Sequence, residues 1–339
     1  MLEYLETLCE LDGVSGREEA VRNFILKEAV DHADEVRIGA TGSVTMFKRG
    51  YGRSKATLML CANMDERGFY ITGITDDGML RFEPVGDIDA RTLCGSALRI
   101  GAAGISGVIG TVPVHLTKKS ELSKVQKTES MLIDIGASDR AQALSAVRPG
   151  DFAVFDTGFE LMGGGLVKGK AFESRAGCAV LMELLTRDCE YDTFFSFATL
   201  GTQGNIGAGC EAFGIEPDAA VCLGAAHAAD IPGVDKEERM TCVGGGAAVG
   251  LMTGNTVFDT GLFDMTLAAG EEAGIAVQIR SGRNGGSGAG AVQTSRGGVR
   301  TLCVDLPVRY LDGPVQLASL SDIDAVLELT QELAVRICE

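Results

Sequence analysis

Apolar positions along the chain fall into two textures, and the first is that of an α/β sheet. Residues 1–11 and 17–30 carry apolar side chains at helical spacing, joined by Gly13-Val14-Ser15-Gly16, with Ser15 and Glu18 placed to form a capping box for the second helix. Residues 36–47 and 57–62 then read as strands. The second of these is a continuous apolar run, Leu58-Met59-Leu60-Cys61-Ala62, which stops at Asn63-Met64-Asp65-Glu66-Arg67-Gly68. Apolar side chains at every position fit a strand covered on both faces. Open α/β sheets take their ligands beyond the carboxyl ends of such strands, so Asn63, Asp65 and Glu66 mark the expected site.

After Gly68 the texture becomes short strands separated by turns: 69–74, 79–82, 97–100, 104–114 and 131–135. Such spacing predicts a small barrel or sandwich, so residues from about 69 to 162 read as an inserted all-β unit. The α/β texture returns near Lys168. A helix over 176–185 follows Glu173-Ser174-Arg175, and buried strands over 193–200 and 219–223 end in Gly201-Thr202-Gln203-Gly204-Asn205 and Gly224-Ala225-Ala226-His227. A helix over 256–274, a strand over 275–280 and a glycine-rich loop over 282–290 come next. The strand at 301–306 leads into Pro307-Val308-Arg309-Tyr310-Leu311-Asp312, and a helix over 322–338 closes the chain.

Composition narrows the function classes. With 339 residues the chain is long for one core, so two compact units are expected. A net charge of -17 argues against nucleic acid or an anionic membrane as partner, because both call for a basic surface. Small molecules, peptides and proteins remain. The 10 cysteines are scattered without a CxxC, so neither a disulfide framework nor a zinc knuckle is expected. An acidic amphipathic start, with no apolar run long enough to span a bilayer, points to a soluble cytoplasmic protein.

The motifs that suggest chemistry at first sight weaken on inspection. Gly285-Gly286-Ser287-Gly288-Ala289 resembles a nucleophile elbow, which requires a histidine later in the chain; the histidines are 32, 115 and 227, all earlier. A flexible site loop is the better account. Gly244-Gly245-Gly246-Ala247-Ala248-Val249-Gly250 does not meet GxGxxG and reads as a turn. His227 lies beyond a strand end, where a ligand, a base or an ordinary loop histidine are all open. His32 and His115 read as structural, so three histidines without a shared neighbourhood do not make a catalytic zinc site. The pairs Glu237-Glu238 and Glu271-Glu272 read as solvated faces.

The stretches Gly13-Val14-Ser15-Gly16-Arg17-Glu18, Met64-Asp65-Glu66-Arg67-Gly68-Phe69, Asp77-Gly78-Met79-Leu80-Arg81-Phe82, Gly107-Val108-Ile109-Gly110, Ile133-Asp134-Ile135-Gly136-Ala137, Lys170-Ala171-Phe172, Arg175-Ala176-Gly177 and Pro307-Val308-Arg309-Tyr310 resemble the M42 family of metallo-aminopeptidases. These are cytosolic glutamyl or leucyl aminopeptidases, formerly also described as endoglucanases. The resemblance runs essentially the whole chain. It implies a zinc-peptidase-like, three-layer α/β/α domain from residues 1–68 and 163–339, and a barrel-like β domain at 69–162 used for oligomerisation into dimers or twelve-subunit cages.

At the family's site positions this sequence departs. The family holds two divalent metals, zinc or cobalt. The resemblance puts its metal-binding histidine at Asn63, its bridging aspartate at Glu173, an aspartate ligand at Gly224 and a final histidine at Asp312. Its Gln-Glu-Glu-Val-Gly stretch matches Gln203-Gly204-Asn205-Ile206-Gly207, so the general base falls on Gly204 and a glutamate ligand on Asn205. The aspartate that orients the first histidine is kept as Asp65, and the Gly-Thr-Asp-Ala loop reads Gly286-Ser287-Gly288-Ala289. A glycine cannot act as a base, and losing one general base typically costs about 10²- to 10⁴-fold.

The expected pocket comprises Asn63, Asp65, Glu66, Glu173, Arg175, Gly204, Asn205, Gly224, Ser287, Arg309 and Asp312, roomier and less charged than in active relatives. Arg175 and Arg309 are placed to hold a carboxylate, although Arg175 reads equally well as a structural ion-pair partner. The leading expectation is a non-catalytic paralogue without a metal cofactor, binding a peptide or small molecule or partnering an active relative, and homo-oligomeric through the β insert. A second reading is an enzyme whose Asn63, Asp65, Glu173, Asn205 and Asp312 form an oxygen site for Mg²⁺, Mn²⁺ or Ca²⁺. A third is a structural assembly subunit.

Overall fold

The computed structural model describes residues 1–117, 120, 124–254, 256–282 and 288–339. Two compact units emerge, the first made of 1–66, 159–311 and 316–339, the second of 67–158 and 312–315. In chain order the elements are α1 (Leu2–Glu10), α2 (Glu19–Ala29), β1 (Glu35–Ile38), β2 (Val44–Lys48) and β3 (Leu58–Asn63). Then come β4 (Gly68–Ile74), β5 (Leu80–Val85), β6 (Ala97–Ile100), β7 (Ile105–Gly110), β8 (Leu132–Asp134), α3 (Arg140–Ala146) and β9 (Phe152–Phe155). The chain continues with β10 (Glu160–Leu161), β11 (Leu166–Gly169), α4 (Phe172–Thr186), β12 (Thr193–Ala198), α5 (Ile206–Ile215) and β13 (Ala219–His227). It ends with β14 (Ala247–Val249), α6 (Thr260–Ala273), β15 (Val277–Ile279), α7 (Ala289–Gln293), β16 (Arg300–Val308), β17 (Gln316–Ser319) and α8 (Leu320–Cys338).

The first unit is a sheet in the order β1-β2-β12-β3-β13-β16-β14-β15, with β12, β3, β13 and β16 mutually parallel at its centre. The run Leu58 to Ala62 is buried at every position, as a doubly covered strand requires. Residues alternate between faces. On one face Ala62 and Leu223 meet α4 at Gly177, where an added Cβ would lie 2.9 Å from that of Ala62 and 3.0 Å from that of Leu223; only glycine allows so close an approach. On the other face lie α5 and α7, with Gly288 over the Cys222 thiol. Helices cover both faces, giving three layers. Because α4 also packs against α1 and α8, it is buried almost all round.

The second unit is a closed barrel in the order β4-β5-β8-β7-β6-β9 around its own core. Phe69 stands edge-on to Phe82 and Phe155, with ring centroids 5.1 and 5.3 Å apart. This unit is not wholly β: α3 is started by Asp139, whose carboxylate accepts from the Gln142 N–H at 2.9 Å. A second correction concerns α2, which begins at Glu19 without a side-chain cap. Ser15 and Glu18 do not form the expected capping box, because both have longer-range partners described below. The helix expected from residue 256 starts at Thr260, where the Asp259 carboxylate accepts from the Leu262 N–H and sets the boundary.

Candidate functional site

The site grows out of strand register. Cys222 pairs with Cys61 on one side and Cys303 on the other, so three thiols share one face of the central strands. Two residues further on, the same face carries Asn63, Gly224 and Asp305. Above this level β3 and β13 give way to loops. The loop before α5 reaches Asn205 through Gly204, whose φ of +81° suits glycine. A Cβ at Gly204 would meet nothing within 4 Å. Ala171, Leu200 and Asn205 hold φ of 61°, 57° and 57°, a region non-glycine residues rarely occupy, so backbone strain gathers in the loops around these strand ends.

Asn63 and Asn205 come together. The Asn63 Nδ2 donates to Asn205 Oδ1 at 2.9 Å, and the Asn63 Oδ1 is buried without a hydrogen-bond partner. The Cys178 thiol, pushed up to about 12 by burial, donates to the Asn63 carbonyl at 3.1 Å. Asp65 is fully buried and turned away to anchor the loops, accepting from the Gly201 N–H at 2.9 Å, the Thr202 N–H at 2.8 Å and the Ser15 hydroxyl. Glu18 does similar work, accepting from the Leu200 N–H at 2.9 Å; burial pushes its carboxyl up.

Glu66 and Arg175 also meet, in a buried ionic cluster. Glu66 accepts from the Gly13 N–H at 2.9 Å and pairs with Lys170 at 3.0 Å and Arg175 at 3.4 Å, while Lys170 reaches Asp12 at 3.2 Å. Arg175 is wholly buried and donates to the Leu8 carbonyl, so of its two expected roles the structure gives it the structural one. Arg309 is likewise committed, donating to both carboxylate oxygens of Asp230 at 2.7 and 2.6 Å. Both guanidinium groups are thus paired with internal acids, Arg175 with Glu66 and Arg309 with Asp230. Glu173 accepts from Gln316 at 2.7 Å, and Gln316 in turn accepts from the Phe172 N–H at 2.6 Å.

Asp312 belongs to the second unit, where it accepts from Arg67 at 2.7 Å. Ser287 and most of the glycine-rich loop lie outside the described residues. His227 ends β13, its carbonyl accepting from Thr241. Among the described residues, no three His, Cys, Asp or Glu side chains are grouped to hold a metal ion.

Sequence reasoning passed over one pair. Asp305 and Arg280 form an ion pair of 3.1 Å, both nearly inaccessible to solvent, and Arg280 also donates to the Met252 carbonyl at 2.9 Å. Burial pushes the Asp305 carboxyl up, and Arg280 opposes that shift. The available signal was a lone acid inside Leu302-Cys303-Val304-Asp305-Leu306, since an acid is rarely fully buried unless paired.

The Asp230–Arg309 pair yields a pH prediction. Burial pushes the Asp230 carboxyl up, but the Arg309 hydrogen bonds and charge, together with backbone N–H donors, outweigh this and hold it below the ordinary value. A depressed carboxyl stabilises the fold above about pH 4 and loses that contribution as pH falls through its folded value. Asp230→Asn is therefore expected to cost about 1–2 kcal/mol at neutral pH, with the gap to the parent closing on acidification. Urea melts at pH 7 and pH 3 check this; an equal gap at both sinks the assignment.

The sequence profile of the M42 glutamyl aminopeptidase family matches residues 42–329. A putative aminopeptidase of Acetivibrio thermocellus is 31% identical over 334 residues, covering 98% of each chain. The TET aminopeptidase of the archaeon Thaumarchaeota archaeon SCGC AB-539-E09 superposes with a TM-score of 0.94 at 29% identity, covering 99% of this chain and 96% of that one. The TET1 peptidase of Pyrococcus horikoshii, which can assemble into a tetrahedron or a large octahedral shell, superposes with a TM-score of 0.85 at 30% identity over 98% of both chains.

Proposed function

The chain belongs to the M42 glutamyl aminopeptidase family, and from that premise we propose that it is a non-catalytic member which keeps the peptidase scaffold without the peptidase chemistry. The observation that carries this reading is the direct hydrogen bond of 2.9 Å between Asn63 and Asn205. Family resemblance puts a metal-binding histidine and a metal-binding glutamate at these two positions. Metal ligands direct their donor atoms at an ion, whereas here the Asn63 amide donates to the Asn205 side-chain oxygen.

The remaining donors do not fit a pair of zinc or cobalt ions. Zinc prefers imidazole, thiolate and carboxylate. Here two positions are neutral amides and two, Gly204 and Gly224, have no side chain. Glu173 is held by Gln316 and Asp65 is spent on backbone N–H groups. With glycine at the general-base position, no side chain there takes a proton from water.

The pocket in this reading lies at the ends of β3 and β13, bounded by Asn63, Glu173, Gly204, Asn205 and Gly224. It takes a peptide or other small molecule without turning it over. Homo-oligomerisation through the barrel unit, or assembly with an active relative, accompanies it in the cytoplasm. Exposed Val108, Val112 and Leu116 on that unit favour a contact surface there.

The test is aminopeptidase turnover on amino-acid p-nitroanilides with Zn²⁺, Co²⁺ or Mn²⁺ added. No turnover above background is expected. Metal-dependent turnover abolished by Glu173→Ala would overturn the reading.

A further inference from the structure

We propose that Arg280 is the built-in cation of this crevice, supplying from the protein the positive charge that divalent ions supply in metal-bound relatives. The inference rests on the non-catalytic reading above and extends it from the loss of a site to its replacement. Gly224 occupies the position to which family resemblance assigns a metal-binding aspartate. A Cβ built on Gly224 would lie 3.0 Å from Asp305 Oδ1. The carboxylate absent from β13 is thus present on the adjacent strand β16, at the residue in register with Gly224. Arg280, just past the end of β15, meets it at 3.1 Å.

The strands that carry this pair are shaped for it. Gly250 follows β14, and a Cβ there would come within 3.1 Å of Arg280 Nε, so glycine leaves room for the guanidinium to cross to Asp305. Arg280 Nε and Asp305 Oδ2 are buried without hydrogen-bond partners, which means the two side chains are held opposite one another by charge rather than by a full set of hydrogen bonds. A fixed guanidinium beside the carboxylate removes the negative potential that draws in a divalent ion.

Mn²⁺, a hard ion suited to carboxylate and amide oxygens and visible by electron paramagnetic resonance, is the probe. The parent protein is expected neither to immobilise Mn²⁺ nor to shift its melting temperature when Mn²⁺ is added. Arg280→Met, which leaves Asp305 without its cation, is expected to bind Mn²⁺ about 10- to 100-fold more tightly than the parent and to regain melting temperature on its addition. In Arg280→Met/Asp305→Leu both effects are expected to vanish. Should Arg280→Met fail to fold, Gly224→Asp carries the test, since two carboxylates then face a single guanidinium and Mn²⁺ binding is expected.

Mn²⁺ binding by the parent equal to that of Arg280→Met overturns the proposal, as does a folded Arg280→Met, or failing that a folded Gly224→Asp, that is blind to Mn²⁺. These outcomes are separate from peptidase turnover. Turnover by the parent would sink the non-catalytic reading, whereas Mn²⁺ binding without turnover sinks only the role of Arg280.

Discussion

Glu66→Ala is expected to be the most damaging single substitution in the protein, costing about 3–5 kcal/mol. The Glu66 carboxylate is 2% exposed and is shared by Lys170 and Arg175, themselves buried, and by the Gly13 N–H. Removing it leaves two buried cations with one acid, Asp12, between them. Deleting one partner of a buried ionic set costs far more than the set contributes when intact, because the remaining charges are stranded away from water. Against a typical total stability of about 5–15 kcal/mol, this loss is expected to lower the yield of folded protein as well as the urea midpoint. A loss below about 1 kcal/mol would show that water reaches the cluster and that the pairing matters little.

Asp65→Ala is expected to cost about 2–4 kcal/mol and, unlike Glu66→Ala, to act mainly on one segment. Asp65 accepts from Gly201 and Thr202 and from the Ser15 hydroxyl, which itself lies 2.5 Å from the Thr202 hydroxyl. One carboxylate therefore ties the end of β3 to the loop before α2 and to the loop before α5. Hydrogen exchange read by mass spectrometry is expected to speed up in peptides over 199–206, with the barrel strands unchanged. Asp65→Asn keeps one oxygen acceptor and is expected to lose about half as much. Uniform acceleration along the chain, with no excess at 199–206, would mean the residue supports the fold at large rather than this loop.

Asp65 is committed to this loop. Here its oxygens hold backbone, and the strained residues Leu200 and Asn205 sit in or beside the segment it anchors. The Asn63–Asn205 bond and the Asp305–Arg280 pair stand on the same face of the sheet. Both draw on partners far away in the sequence, and Asn63 Oδ1, Arg280 Nε and Asp305 Oδ2 are left buried without hydrogen-bond partners.

The central strands were legible because a strand covered on both faces must be apolar at each position, and Leu58 to Ala62 and Thr301 to Leu306 are nearly so. The barrel was legible from turn spacing, while α3 within it escaped notice because its seven residues show too little periodicity. The candidate site was read from where apolar runs end, and the strand ends it names are those of β3 and β13. The capping box was misread for a physical reason: Ser15 and Glu18 have the right local spacing, but Asp65 and the Leu200 N–H compete for them across the fold.

The sequence by itself therefore determined the strands, their burial and the residue types at their ends, since each of these depends on neighbours within a few positions. Only the tertiary structure decided which partner each polar group takes. Asn63 finds Asn205 across 142 residues, Glu66 finds Lys170 across 104, and Arg175 and Arg309 turn to internal acids rather than outward. A buried charge binds whichever opposite charge the packing of distant segments brings within about 3 Å, and that proximity belongs to the folded chain rather than to any local pattern in it.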